Sequence, residues 1–323
     1  MKRRMVIGCL SAATLAAAVT AARSQSYPQR PVSLVVGGAA GSVPDILART
    51  VAERLGRSLG HPVVVENKPG AAGSIAMTSV ARSAPDGHTL ALATMSQLVF
   101  NSYLFEKLSY DPLRDVQPVA PLVTGAMVLA AHPSTAANSF ADFVRLAKAR
   151  PGHLFVAMPQ LGSPPHVVAL LLNRSAGIDV RMVPHKSGAD ALNAVTSGEI
   201  PLIIEAPTTV VPLVAAGRLK AIVVTGRERE PLLPHTPTVA EAGTPVPGEA
   251  WLGLVAPAGT PMHVVERLNH EIAGLMKGGD MIAAMERMSF RILSGSPAAF
   301  GRMIREGHAT WGETIRAAGL RLS

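Results

Sequence analysis

Four serines stand where the chain passes from an apolar run into a helical one: Ser42, Ser74, Ser163 and Ser187. Small residues precede two of them, Gly37-Gly38-Ala39-Ala40-Gly41 before Ser42 and Pro69-Gly70-Ala71-Ala72-Gly73 before Ser74. A hydroxyl beside the free N–H groups of a helix start, at the positive end of the helix dipole, can accept a carboxylate without a buried arginine. Each serine could equally do no more than cap its own helix, worth about 1 kcal/mol. Four such junctions together favour a binding cleft, because neutral donors hold an anion yet let it leave. Lys186 is the one fixed cation near these loops and is either a partner for that anion or solvated surface. Glu205, at a strand end, either receives a ligand amino or hydroxyl group or accepts from neighbouring N–H groups.

Catalytic patterns are missing. The sequence holds no HExxH, no Walker lysine loop and no GxSxG elbow. Gly70-Ala-Ala-Gly73 lacks the first glycine spacing of a dinucleotide fingerprint. His166 and His185 fall near expected loop ends, where each is either a ligand contact or a structural hydrogen-bonding group. Neither has an acid paired with it in sequence, so no triad, metal site or cofactor is expected.

The elements that must position these residues follow from periodicity. Leu34-Val35-Val36 reads as a strand end. Ser42-x-x-Asp45 fits a capping box with Pro44 in the first turn, and Leu47, Val51, Leu55 and Leu59 give one apolar helical stripe. Pro62–Glu66 and Thr89–Ala93 read as further strands, the latter ending at Thr94-Met95-Ser96. A similar order restarts with strands at Met127–Ala131, Phe155–Ala157, Arg181–Val183, Leu202–Ile204 and Ala221–Thr225. An extended run at Trp251–Val255 precedes two or three C-terminal helices. The expected fold is α/β, two doubly wound α/β domains around a ligand cleft, with ligands outside the carboxyl ends of the strands. The expected partition is a signal peptide at 1–26, a first domain at 27–123 plus 254–323, and a second at 124–253.

Composition narrows the function. The chain has 323 residues, 48% hydrophobic, which is enough for two ordinary domains or one large one. Aromatics are only 4%, against stacking platforms for bases or sugars. Lys2-Arg3-Arg4, the apolar run Met5–Val19 and the small residues Ser24-Gln25-Ser26 read as a cleaved secretory signal, cut between Ala21 and Ser26, with an uncleaved anchor as the alternative. Cys9, the one cysteine, would leave with it, so no disulfide or thiol chemistry is expected. Four cations (Lys2, Arg3, Arg4, Arg23) and no acid would leave too, so the formal +8 falls to +4. That modest field suits a small anion, and no basic run suits a nucleic acid.

Several motifs carry a resemblance. Tyr27-Pro-Gln-Arg-Pro31, VVVENKPGAAGSIA (63–76), APDGHTL (84–90), YDPLRDVQPVAPL (110–122), VPHKSGADAL (183–192), AAGRLKAIVVTGRER (215–229), HTPTVAEAG (235–243) and GLVAPAGTP (253–261) look like the Bug-type solute-binding proteins of tripartite tricarboxylate transporters. The resemblance implies a monomeric periplasmic protein of type II binding-protein architecture. It would close on a carboxylate-bearing solute and deliver it to a membrane permease. It places Ala39, Ala40, Gly41, Ser42 and Asp45 in one carboxylate loop and Gly162, Ser163 and His166 in the other. By analogy Ala72, Gly73, Ser74, Thr94, Ser96, Lys186, Ser187 and Glu205 line the same cleft. The chain departs from the family where Gly37–Ser42 replaces Pro-Phe-x-Pro-Gly-Gly, removing an aromatic at Gly38. Pro44, Pro165, His185 and Glu205 stand for the usual Ser/Thr, Gln, Tyr and Asp. These departures imply a different or smaller anion than the commonest family ligands. Two other readings are a ligand-loaded sensory protein acting on a sensor kinase, and an enzyme such as a deaminase or synthase on a similar fold. Porphobilinogen-deaminase-like chemistry would need a cysteine that the mature chain lacks.

Overall fold

A computed structural model describes residues 27–317 apart from 245 and 247, with 319 and 321 beyond them. The expected signal at 1–26 lies outside the described residues. No described helix is long and apolar enough to cross a membrane.

The chain begins with β1 (Val32–Val36), α1 (Val43–Leu59), β2 (Val63–Asn67), α2 (Ser74–Ala81) and β3 (Thr89–Thr94). The three strands are parallel and in register, with Val36 level with Asn67 on one side and Leu92 on the other. Their carboxyl ends, and the loops that follow them, therefore stand side by side. β1 is buried on both faces: Val32, Leu34 and Val36 pack with the α1 stripe of Leu47, Val51, Leu55 and Leu59, and Val35 packs with Met77 of α2 on the other side. Gly60 ends α1 at φ +71°. A one-turn π segment (Ser96–Phe100) and the short α3 (Asn101–Leu104) follow β3.

The chain then runs through β4 (Val116–Gly125) straight into β5 (Val128–Ala131) of a second sheet. That sheet is built with α4 (Phe140–Ala149), β6 (Phe155–Met158), α5 (Pro164–Ala176), β7 (Arg181–Pro184), α6 (Gly188–Thr196), β8 (Leu202–Glu205), α7 (Pro207–Ala215) and β9 (Lys220–Val224). β10 (Ala250–Pro257) returns to the first sheet. There follow α8 (Met262–Leu275), α9 (Gly279–Arg287), the two-residue β11 (Arg291–Ile292) and α10 (Pro297–Ala317).

The sheet orders are β11-β4-β10-β3-β1-β2 and β7-β6-β8-β5-β9. The α/β class expected from the sequence is present, but each sheet is mixed. β10 runs antiparallel to β3 and β4, and β5 antiparallel to β8 and β9. The reason is topological: the two strands that carry the chain between sheets enter without a crossover helix, and a parallel pairing needs one. The six-stranded sheet takes in Thr124, Gly125 and Ala250–Gly253, residues that the expected partition placed in the second domain.

α10 ties the two lobes. Phe300 meets Trp251 edge-on, Trp311 meets Phe100, and Arg174 of α5 pairs with Glu313 at 3.1 Å. Gly253 is where this helix presses on β10. A Cβ there would overlap the Phe300 ring and lie 2.8 Å from the Ala120 carbonyl. Gly253→Ala is therefore expected to cost about 1–3 kcal/mol by overpacking, read from urea unfolding. An unchanged midpoint would show that α10 can move away from the sheet.

Candidate functional site

The loops after β1 and β6 are built alike, one on each sheet. In the first, Ser42 N–H donates to the Ala39 carbonyl at 3.1 Å, and in the second, Ser163 N–H donates to the Gln160 carbonyl at 3.1 Å. The glycine before each serine is left-handed, Gly41 at φ +79° and Gly162 at φ +76°. The side chain four residues beyond that glycine captures its amide: Gly41 N–H donates to Asp45 Oδ2 at 2.8 Å, Gly162 N–H to His166 Nδ1 at 3.0 Å. Both serines are extended N-caps, at φ/ψ −71°/160° and −68°/158°. Proline follows within the first helical turn in both, Pro44 in one and Pro164-Pro165 in the other. The segments Gly41-Ser42-Val43-Pro44-Asp45 and Gly162-Ser163-Pro164-Pro165-His166 are thus two copies of one device.

This geometry corrects two expectations. Ser42-x-x-Asp45 is not a reciprocal capping box, because Asp45 reaches the Gly41 amide rather than that of Ser42, and the Ser42 hydroxyl caps nothing. Nor are the loop amides of Gly41, Ser42, Gly162 and Ser163 free, since each already has an acceptor within the chain. What stays open is the hydroxyls. Ser42 Oγ and Ser163 Oγ are both enclosed and without a hydrogen-bond partner. The prolines, which carry no N–H, also thin the donors of the first helical turns. Ala39 and Ala40 are exposed on the rim.

The other two serines are occupied. Ser187 accepts from Asp190 N–H at 3.1 Å and donates to Asp190 Oδ2 at 2.9 Å, a closed cap on α6. Ser74 is buried and accepts from Asn101 Nδ2 at 3.3 Å. Asn101, fully buried, also donates to the Ala72 carbonyl at 3.1 Å. It holds a loop whose four consecutive residues Gly70, Ala71, Ala72 and Gly73 have φ of +120°, +46°, +51° and +82°. Alanine in that region costs about 1–2 kcal/mol per residue and persists because the surroundings dictate it.

The two sheets are joined where Ser96 Oγ, after β3, donates to the Gly162 carbonyl at 2.9 Å. Thr94, one turn before, gives its N–H to Gln97 Oε1 at 2.8 Å. Sequence reasoning missed Gln97 and Asn101. Both sit in a stretch that reads as apolar helix, and only the neighbouring glycines and alanines hint that something must support them. From the second sheet, Lys186 is exposed, and its carbonyl accepts from Gln160 Nε2 at 3.2 Å. His185 Nδ1 donates to the Val183 carbonyl at 3.0 Å. Glu205 ends β8 with Oε1 accepting Ala206 N–H at 2.7 Å, and Oε2 lies so close to α6 that a Cβ on Gly188 would be 2.6 Å from it. Among the described residues no three His, Cys, Asp or Glu gather to hold a metal.

The buried charges are held in different states. Burial pushes the Asp45 carboxyl up, but hydrogen bonds from Arg49, the Gly41 amide and Asn67 outweigh it and keep Asp45 ionised. Burial lowers His166 from 6.5 to about 4, so its ring is neutral with the proton on Nε2. Burial raises Glu205 from 4.5 to about 7, with the Ala206 amide opposing.

These last two act oppositely on stability. His166 binds its proton first in the unfolded chain, so it costs stability as pH falls from 6.5 towards 4. Glu205 binds its proton first in the folded chain, so it costs stability as pH rises from 4.5 to 7. Glu205→Gln is therefore expected to raise the urea-unfolding free energy by roughly 2–3 kcal/mol at pH 8 and leave it unchanged at pH 4. Equal effects at both pH values would show that burial does not set the ionisation of Glu205.

With this geometry in hand, comparison with known proteins is informative. The sequence model of the TctC family, described as the tripartite tricarboxylate transporter family receptor, matches residues 47–320. Protein BugT of Bordetella pertussis is 30% identical over 320 residues, covering 98% of this chain and 97% of BugT. An R. palustris protein solved with adipate superposes with a TM-score of 0.83 at 32% identity, covering 92% of this chain and all of that one. MatC from Rhodopseudomonas palustris, solved with bound malate, gives a TM-score of 0.79 at 32% identity over 90% of this chain and all of MatC. The chain belongs to the TctC family, the receptors of tripartite tricarboxylate transporters.

Proposed function

We propose that this protein is a periplasmic receptor that captures a small carboxylate between its two lobes and hands it, unaltered, to a tripartite tricarboxylate-type membrane permease. One observation carries the reading: each lobe presents the same Gly-Ser-x-Pro device at a strand end, with an enclosed serine hydroxyl that nothing in the chain satisfies. A buried hydroxyl without a partner costs about 1–3 kcal/mol, and two of them on matching loops fit the two ends of one polar ligand. Two relatives were solved with dicarboxylates, adipate and malate. The fixed turns leave these hydroxyls preorganised, so binding needs little ordering of the protein. Secretion through a cleaved N-terminal signal fits a receptor that works outside the inner membrane. The action is capture and release, with no catalytic step.

The departures from the family pattern favour a compact ligand. Gly38 leaves open the space of a covering aromatic, and the Ser42 hydroxyl occupies it in part, 2.5 Å from where a Cβ on Gly38 would lie. Glu205, one methylene longer than aspartate, reaches Gly188 and takes room from the same gap.

A thermal-shift screen of the mature protein with mono-, di- and tricarboxylates tests this. A ligand at 100 times its Kd is expected to add ~2.7 kcal/mol to stability. Combining Ser42→Asp with Ser163→Asp places like charge at both ends and is expected to abolish the gain. A shift that survives both substitutions would put the site elsewhere.

A further inference from the structure

Resting on that carboxylate reading, we infer that Gln97 is the specificity-determining donor at the floor of the cleft. Its Nε2 amide gives a hydrogen bond to an oxygen of the bound ligand and disfavours any ligand that presents an ammonium or another donor there. Gln97 follows β3 in the π segment and is 4% exposed. The direction of its carboxamide is set by its neighbours. Oε1 accepts the Thr94 N–H at 2.8 Å, so the nitrogen must face the other way. The backbone is held as well, with Gln97 N–H donating to Thr94 Oγ1 at 3.4 Å and Tyr110 O–H donating to the Gln97 carbonyl.

The nitrogen points to the place where two ligand loops meet. A Cβ on either Gly37, after β1, or Gly73, before α2, would fall on Nε2. The two glycine backbones are themselves in contact, since a Cβ on Gly37 would lie 2.8 Å from Gly73 Cα. Both positions therefore need glycine to let the carboxamide in between. Among the described residues, the hydrogen bonds of the carboxamide run through Oε1 and none through Nε2. Nε2 is not one of the fully enclosed polar atoms without a partner, so it keeps an open side, and a ligand oxygen arriving there would accept from it. Because Oε1 is already taken, Gln97 offers donors alone. A carboxylate or carbonyl oxygen is satisfied by them, whereas an ammonium would meet N–H against N–H, a mismatch that sites built for hydrogen bonding reject strongly.

The test is Gln97→Glu, which keeps the shape and the acceptor for Thr94 N–H but replaces the free donor with an anionic oxygen. Titration calorimetry would use succinate, malate and adipate, with their half-amides alongside. For whichever dicarboxylate the wild type takes, affinity is expected to fall at least ~10-fold in the Glu variant. Its half-amide, which brings its own N–H to that oxygen, is expected to lose little or to gain. Gln97→Met fills the same volume without either hydrogen bond and is expected to weaken the dicarboxylate with no gain for the half-amide. The inference falls if Gln97→Glu or Gln97→Met binds the dicarboxylate as the wild type does. It also falls if half-amide and parent acid weaken equally in the Glu variant, because that pattern reports collapsed loops. If the wild type takes none of the six probes, the carboxylate reading fails first and takes this inference with it.

Discussion

A left-handed glycine at the end of a strand puts its amide where no helix or sheet partner can reach it. Where it is shielded from water, that amide must find an acceptor or cost the fold about 1–3 kcal/mol. The loops after β1 and β6 both supply one from the first turn of the next helix: Asp45 takes the amide of Gly41, and His166 takes that of the buried Gly162. The remainder of the cleft geometry depends on these two bonds. They fix the turn, the turn sets the serine as an extended cap, and the cap position turns the hydroxyl inward and leaves it without a partner. A carboxylate and an imidazole lone pair perform the same task because the task requires only an acceptor at one place.

How far the sequence discloses this depends on the residue. The small-residue loops, the helices that follow them and the apolar stripe of α1 are legible because periodicity and glycine content report directly on backbone geometry. The position of the Asp45 bond is not legible: S-x-x-D spacing allows the carboxylate to reach the cap residue or the residue before it. In the folded chain it reaches the residue before, at Gly41, as Asp142 reaches the Asn138 amide ahead of Ser139. Ser187, with the same S-x-x-D spacing, instead takes the Asp190 N–H on its hydroxyl and donates that hydroxyl to Asp190 Oδ2. The antiparallel members of the two sheets escape pattern reading for another reason. β4 and β10 are continuous apolar runs, and direction in a sheet is set by which lobe the chain has just left.

Gln97 and Asn101 escape it most completely. Both lie in a run of mainly apolar residues, and each acts on loops far away in sequence, Gln97 on Gly37 and Gly73 and Asn101 on Ala72 and Ser74. The loops themselves carry the sign of this support. Two alanines at φ +46° and +51° and a glycine pair too close for any Cβ show that something polar and well placed supports them.

The buried groups beside the paired loops differ in ionisation state. Asp45 is charged, but Arg49, Asn67 and the Gly41 amide absorb that charge. His166 is neutral. Glu205, buried against α6, sits near the pH at which it loses its proton. Under the proposed capture of a carboxylate, the solute meets hydroxyl and amide donors and the exposed Lys186, with no buried cation beside them among the described residues. In a site of low dielectric, a fixed arginine would bind a carboxylate more tightly and release it more slowly. Donors of partial charge give up part of that affinity, and since affinity differences of this kind reside mostly in the dissociation rate, they shorten the time the solute stays bound. A receptor that binds and releases a solute is served by that balance. Asp45 and His166 are each committed to their own glycine amide and Glu205 to that of Ala206, so these side chains act first on the backbone that shapes the paired loops.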